Sequence, residues 1–229
     1  MPTPASDNPV PANPLDDARV VYETSRYVIV DKPPGVRSAP GNGPDGHVCV
    51  EAWVRKRYPL SDGPLTVHRL DMPTSGLMVY ALDRAAQSAL SVQFMKRRVD
   101  KAYTAIVEGH LEPESGVVEL PLRVDWPNRP RQIVDFELGK HAKTEWRRRS
   151  HESLDGLPCT RLEMRPITGR SHQLRVHAAH AQGLGAPILG DSLYGDETRA
   201  PRLLLHASML EITDVETGER VRFESPAPF

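Results

Sequence analysis

Thr66-Val67-His68-Arg69-Leu70-Asp71-Met72-Pro73-Thr74-Ser75-Gly76-Leu77-Met78-Val79-Tyr80 sets a block of polar and reactive side chains between two apolar runs. Leu65 to Val67 leads in and Leu77 to Leu82 leads away, which predicts two buried strands. Pro73 and Gly76 bracket a short polar loop between them. Whatever the fold, it must hold a carboxylate, Asp71, and a guanidinium, Arg69, on a loop between buried strands, where binding and catalytic groups are often presented. Taken alone, the two residues suit a solvated turn capped by its own Asp and Arg equally well. The rest of the chain has to decide.

A chain of 229 residues is long enough to bury a substantial core. Its 39% hydrophobic and 26% charged content is that of a soluble globular protein. No apolar run approaches the roughly 20 residues that a membrane helix needs. Met1 to Ala18 carries prolines at positions 2, 4, 9, 11 and 14 and lacks a basic-then-apolar signal pattern, which predicts a disordered lead over 1–18 and a single domain over 19–229. Cys49 and Cys159 lie far apart without metal-ligand spacing, so reduced thiols in a cytoplasmic protein are expected; the protein is also expected to be a monomer.

The net charge of −1 argues against a protein that simply coats nucleic acid. Its distribution is uneven. Between Arg84 and Arg175 there are 17 Lys and Arg against 12 Asp and Glu, a local excess of five. Lys96-Arg97-Arg98 with Lys101, Arg129 with Arg131, and Arg147-Arg148-Arg149 are candidates for one basic face, although charge runs are usually just solvated surface.

In chain order, Val20–Tyr22 and Tyr27–Val30 read as short strands, and Asp31-Lys32-Pro33-Pro34-Gly35 as a rigid breaker. Val48–Tyr58 and Arg84–Arg98 read as amphipathic helices, the second with Asp83 as N-cap and a basic end that suits the helix dipole. Further strands are predicted over Lys101–Glu108, Val117–Leu122, Ile133–Leu138, Lys143–Arg149, Thr160–Arg165, Pro201–Ala207 and Arg220–Glu224. A helix is predicted over Ser171–Gln182 and a loop over Gly183–Gly195. The insert from Asp125 to Arg131 places Trp126 among arginines, a composition suited to stacking on bases or meeting phosphates. His172, His177 and His180 invite a metal, but His172 and His177 would sit about 140° apart on a helix and no Cys or Glu completes a ligand set. No metal is expected. Strands outnumber helices without alternating with them, which predicts an α+β fold with a largely antiparallel, mixed central sheet flanked by helices and loops.

Four motifs in series carry more than any one of them. His68-Arg69-Leu70-Asp71 with Thr74-Ser75-Gly76, Lys101-Ala102-Tyr103, Thr168-Gly169-Arg170-Ser171-His172-Gln173-Leu174-Arg175-Val176-His177 and Arg202-Leu203-Leu204-Leu205-His206-Ala207 resemble the RluA family of pseudouridine synthases in order and separation. The resemblance runs from about Val20 to Phe229. Leu120 to Arg131 resembles the members that act on both 23S ribosomal RNA and transfer RNA, and Met1 to Arg19 is too short and Pro-rich for the S4 RNA-binding domain of larger relatives.

The resemblance implies the pseudouridine synthase fold and an isomerase that uses no cofactor and no metal. It would act on uridines in stem-loops of 23S rRNA (position-746 type) and of the transfer-RNA anticodon loop (position-32 type). In that reaction the N1 glycosidic bond breaks, the base turns, and C5 bonds to the sugar. A carboxylate near the sugar must attack C1′ or take a proton from C2′, and Asp71 is the only acid in the four motifs. By the same resemblance Arg175 pairs with Asp71, Tyr103 stacks on the flipped base, Arg69 fills the gap left behind, and Leu205 shapes the pocket floor. Arg129, Arg131, Trp126 and Arg170 are expected to contact RNA, while His68, His172 and His206 are expected to support their loops. Two other classes compete. A phosphotransferase would place Asp directly after Arg and needs an Asn, a Gly-rich loop and an Asp-Phe-Gly, all missing. A non-catalytic RNA-binding protein would have no need of Asp71, Tyr103 and Arg175 together.

Overall fold

The computed structural model describes residues 14–43 and 45–229. Eleven strands and three helices follow in order: β1 (Arg19–Glu23), β2 (Tyr27–Lys32), α1 (Val50–Arg57), β3 (Ser75–Ala81), α2 (Arg84–Met95), β4 (Asp100–Glu108), β5 (Ser115–Glu119), β6 (Leu122–Val124), β7 (Gln132–Val134), β8 (Lys143–Leu154), β9 (Leu157–Pro166), α3 (Gln173–Ala179), β10 (Leu205–Thr213) and β11 (Arg220–Glu224). Nine strands form one sheet in the order β1-β2-β3-β10-β4-β9-β8-β5, with β11 also on β10; β6 and β7 form a separate hairpin. Every pairing is antiparallel except β3 with β10, which runs parallel over Ser75–His206 and Gly76–Ala207 only.

That short parallel seam joins two halves. In the first, β2 and β3 are buried along their whole length, so Tyr27–Val30 and Leu77–Ala81 read as continuous apolar runs and not as alternations. Val28, Val30, Met78 and Tyr80 face Val50 and Val54 of α1, while Tyr27, Ile29, Leu77 and Val79 face Ala86 and Leu90 of α2. In the second half, Ala105, Val107, Leu162 and Met164 of β4 and β9 pack on Leu174 and Ala178 of α3. Gly76 makes the seam possible: it has φ +112, and a Cβ there would lie 2.4 Å from Ala207 O.

Several expected boundaries move, each for a local reason. Leu65–Val67 is no strand; Ala81 N–H donates to Leu65 O at 2.9 Å and Thr66 bridges Tyr80, but His68 Nε2 then accepts the Val79 N–H at 3.1 Å and ends the pairing. α2 stops at Met95, and Arg97 turns the chain in the left-handed region (φ 55). Val117–Leu122 is broken between β5 and β6 at Leu120–Pro121. Ile133–Leu138 ends at Val134 because Asp135 Oδ1 accepts the Glu137 and Leu138 N–H groups and closes a turn. α3 covers 173–179 and not 171–182, since His172 is left-handed. β8 and β9 are longer than expected and meet at Asp155-Gly156, and the strand expected over Pro201–Ala207 is displaced to Leu205–Thr213. Pro14–Asp17, placed by sequence in the disordered lead, form a 3-10 turn whose Leu15 packs against the α1 core; residues 1–13 of that lead lie outside the described residues. No helix among the described residues is long and apolar enough to cross a membrane.

Candidate active site

A cleft of about 1240 Å³ opens where the two halves meet. The loop before β3 forms one wall, with Arg69, Asp71 and Met72; Lys101 and Tyr103 of β4, Thr168 to Arg175 before and within α3, and Leu205 at the start of β10 form the others. Among the described residues, seven Arg or Lys side chains line it (Arg37, Arg69, Arg97, Lys101, Arg129, Arg170, Arg175) against one carboxylate, Asp71. A chain of net charge −1 therefore concentrates positive charge around a single acid.

Asp71 is held from beneath. Its loop is pinned by Lys32, a fully buried side chain whose ammonium donates to the carbonyls of Pro33 (2.8 Å), Val36 (2.8 Å) and Met72 (3.1 Å). Ser38 Oγ donates to Leu70 O at 2.8 Å and accepts the Leu70 N–H at 3.1 Å. Burial pushes the Lys32 pKa down to about 7, opposed by the charges of Asp71 and Asp31. The Asp71 side chain keeps 27% exposure, enough to meet a ligand in the cleft.

Arg175 stands 3.6 Å from Asp71 Oδ2, yet its main partner is elsewhere. Its Nε and Nη2 donate to Asp191 Oδ2 and Oδ1 at 2.8 and 2.6 Å, a bidentate pair in which both side chains are almost wholly buried. Asp191 Oδ1 also accepts the N–H groups of Leu193 (2.9 Å) and Tyr194 (3.1 Å). Burial alone would raise the Asp191 carboxyl, but the Arg175 hydrogen bonds and charge hold it below the usual range. The expected ion pair between Arg175 and Asp71 is present, and Asp191 adds a partner that the sequence did not announce: Arg175 is fixed by Asp191 and presents its remaining edge to Asp71.

His172, expected only to support its loop, has Nε2 3.9 Å from Asp71 Oδ1. Burial, aided by Arg175, lowers its pKa against the pull of Asp71 and Asp191. Tyr103 lines the cleft half-buried, and burial followed by the Asp71 charge raises its hydroxyl pKa. Leu205 is 3% exposed in the floor, and Arg69 is exposed at the lip. His68 stacks on Phe94 at 4.3 Å, and burial lowers its pKa to about 3, in keeping with an acceptor for the Val79 N–H.

The four expected RNA contacts divide. Arg129 and Arg170 line the cleft; Trp126 and Arg131 do not. Trp126 is 65% exposed beneath the Arg129 guanidinium, 4.6 Å from its ring centre, and Arg131 lies 5.2 Å over the Tyr194 ring. The single basic face is also corrected. Arg97 and Lys101 belong to the cleft, whereas Arg147 and Arg149 line a separate groove on β8, and Arg148 donates to the carbonyls of Leu111 and Glu112. Among the described residues no three His, Cys, Asp or Glu side chains converge to hold a metal ion.

A family model described as RNA pseudouridylate synthase matches residues 26–180. The dual-specificity RNA pseudouridine synthase RluA of Escherichia coli K12 is 45% identical over 213 residues, covering 92% of this chain and 93% of that protein. The protein of the same name from Haemophilus influenzae is 43% identical over 215 residues, covering 92% and 93%. Among solved structures, human RNA Pseudouridylate Synthase Domain Containing 1 matches with a TM-score of 0.79 at 30% identity, covering 94% of this chain and 85% of that one. Human RNA Pseudouridylate Synthase Domain Containing 4 shares the fold, with a TM-score of 0.69 at 24% identity over 91% and 88% of the two chains. With likeness of this degree along nearly the whole sequence, the chain belongs to the RNA pseudouridylate synthase family, in its RluA-type branch, whose members isomerise uridine in RNA.

Proposed function

We propose that this enzyme isomerises uridines in both a 23S ribosomal RNA stem-loop and a transfer-RNA anticodon stem-loop, at the two kinds of position its motifs imply, with Asp71 as the reacting group. One observation carries the assignment of Asp71: among the described residues it is the only carboxylate lining a cleft that otherwise holds seven cationic side chains. The cations suit the phosphates of a folded RNA, and the acid sits where a flipped nucleoside would arrive. The double substrate range is supported by the printed names of the bacterial relatives, which are called dual-specificity.

The remaining residues take roles that fit their places. Extruding a uridine costs a few kcal/mol of stacking, and Arg69 at the exposed lip fills the space it leaves. Tyr103 stacks on the extruded base over the Leu205 floor; its raised pKa keeps the hydroxyl protonated, so it acts by stacking and hydrogen bonding. Arg175, immobilised by Asp191, supplies a fixed positive charge beside Asp71. Arg129 and Arg170 meet phosphates, and Trp126 and Arg131 extend the contact along the β6–β7 hairpin outside the cleft.

Tritium release tests this reading. Transcripts of the 23S stem-loop and of a transfer RNA, labelled at C5 of uridine, are mixed with purified protein and no added cofactor. Isomerisation must free the C5 hydrogen to water. Release from both RNAs, abolished by Asp71→Asn with RNA binding kept, is the expected result. Release from one RNA would narrow the substrate range, and full activity of the Asp71→Asn protein would remove Asp71 from the chemistry.

A further inference from the structure

Tyr194 belongs to none of the motifs discussed so far, yet its phenol touches three parts of the site. It follows Asp191 in a turn where the Asp191 carboxylate accepts the Tyr194 N–H. Its hydroxyl oxygen accepts the backbone N–H of Gln132, the first residue of β7, at 2.7 Å. The same oxygen lies 2.8 Å from His172 Nδ1. A backbone N–H can only donate, so that bond leaves the phenolic proton free to go to the imidazole. With the phenol as donor, His172 Nδ1 is the acceptor, and in a neutral ring the proton sits on Nε2. Nε2 is the nitrogen that faces Asp71, 3.9 Å from Oδ1.

Other features fit this arrangement. His172 has φ 52, a left-handed backbone that a non-glycine residue rarely adopts and that occurs at functional sites more often than elsewhere. Its ring meets the Tyr194 ring edge-on at 5.7 Å. The Tyr194 ring also carries the guanidinium groups of Arg131 and Arg175, each 5.2 Å from its centre. One aromatic residue thus contacts the hairpin that bears Arg129 and Arg131, the imidazole beside Asp71, and the arginine behind it.

We propose that Tyr194 is a positioning residue that fixes His172 in its Nε2-protonated form and ties the β6–β7 hairpin to Asp71. RNA seated on Arg129 and Arg131 bears on the strand whose Gln132 N–H holds the phenol. The phenol passes that position to His172, whose Nε2–H is aimed at the Asp71 carboxylate or at a substrate oxygen beside it. The proposal rests on the reading of Asp71 as the reacting group.

Tyr194→Phe removes the hydroxyl and keeps the ring with its cationic neighbours. Long-range proton–nitrogen NMR spectra of the full chain, labelled at histidine nitrogen, report the His172 tautomer without reference to activity. The wild-type protein is expected to show the Nε2-protonated ring, and Tyr194→Phe to lose that signature. Single-turnover tritium release at saturating 23S stem-loop is expected to fall about fivefold to tenfold, the size of one lost hydrogen bond at a reacting centre, with the RNA Kd unchanged. In a His172→Gln background, whose amide N–H does not depend on the phenol, Tyr194→Phe is expected to add no further loss. An Nδ1-protonated His172 in the wild type, an unchanged rate in Tyr194→Phe, or a full further loss in the His172→Gln background would each overturn the proposal. A merely structural Tyr194 would lower the melting temperature and leave the rate of the folded protein alone. An active Asp71→Asn protein would remove the reading of Asp71 while the tautomer result still stood or fell by itself.

Discussion

Asp191→Asn removes one charge from a buried pair and almost none of its volume. In the native protein Arg175 and Asp191 are 2% and 1% exposed and share two hydrogen bonds of 2.8 and 2.6 Å. The amide oxygen of Asn can still accept the Leu193 or Tyr194 N–H, but its NH2 then faces the guanidinium donors and the cation loses its counter-ion. Asp71 cannot take over without moving, because it stands 3.6 Å from Nη1 on a loop pinned by Lys32 and Ser38. Breaking one side of a buried pair costs roughly 3–5 kcal/mol. For a domain of this size that lowers Tm by about 6–20 °C.

The comparison with Asp71→Asn makes the test sharp. The Asp71 side chain is 27% exposed and its contact with Arg175 is long, so its removal is expected to cost at most about 1 kcal/mol. Urea unfolding followed by tryptophan fluorescence should therefore rank Asp191→Asn far below Asp71→Asn in stability. Tritium release should rank them the other way, with Asp71→Asn inactive and Asp191→Asn impaired only in part at a temperature where it is folded. Arg175→Met combined with Asp191→Leu should be more stable than Asp191→Asn, because the double change leaves no charge stranded. Equal stability losses for Asp71→Asn and Asp191→Asn, or an Asp191→Asn protein within 1 kcal/mol of wild type, would refute the assignment of Asp191 as the anchor of Arg175.

Burial holds the Lys32 pKa at about 7, below its ordinary value of 10.5, so between those values the unfolded chain binds the extra proton and stability rises with pH. Lys32→Met should flatten that rise in urea melts, and an unchanged slope would contradict it. Asp191 is also shifted down, but for a carboxylate that shift stabilises the fold: its contribution is fully present above the ordinary value of 3.8 and is lost as pH falls below it, so Asp191→Asn should weaken the acid limb of the stability curve. Gly76→Ala meets both φ +112 and a Cβ only 2.4 Å from Ala207 O, so calorimetry should find a loss beyond the ~1–3 kcal/mol of backbone strain alone. Arg129→Ala should reduce the slope of log RNA affinity against log salt by about 1, while Arg147→Ala, in the separate groove, should leave it unchanged.

What was legible in the sequence follows the range of the interactions involved. β2 and β3 announce themselves because each is buried on both faces, and the loop before β3 is marked by Pro73, which cannot donate to a strand ladder. Asp71, Tyr103, Arg175 and Leu205 come to one cleft from four separate motifs, which no periodicity could have predicted and the resemblance did. Asp191 and Tyr194 escaped because Gly183–Gly195 has the composition of a loop, and nothing local marks an Asp whose partner lies 16 residues away. Lys32 escaped for the opposite reason: a lysine beside two prolines reads as exposed, and only the three carbonyls that surround it explain its burial. The turn joining β8 and β9 did carry a local signal, Asp155-Gly156, both residues at positive φ as a type I′ hairpin turn needs.

The division of labour between the two carboxylates follows from what a reacting group requires. A carboxylate that attacks carbon or removes a proton needs electron-rich oxygens, whereas a bidentate arginine pair engages both of them and lowers their basicity. An arginine held by Asp71 alone would be drawn into that geometry. Because Asp191 already takes Nε and Nη2, Arg175 turns only Nη1 toward Asp71, at 3.6 Å, near enough for its charge to be felt and too far to form a hydrogen bond. With Asp71 as the proposed reacting group, the buried acid protects the reactivity of the exposed one by satisfying the cation between them. Lengthening that tether should expose the conflict: in Asp191→Glu the guanidinium is pushed toward the cleft, and activity should fall even though every charge is kept.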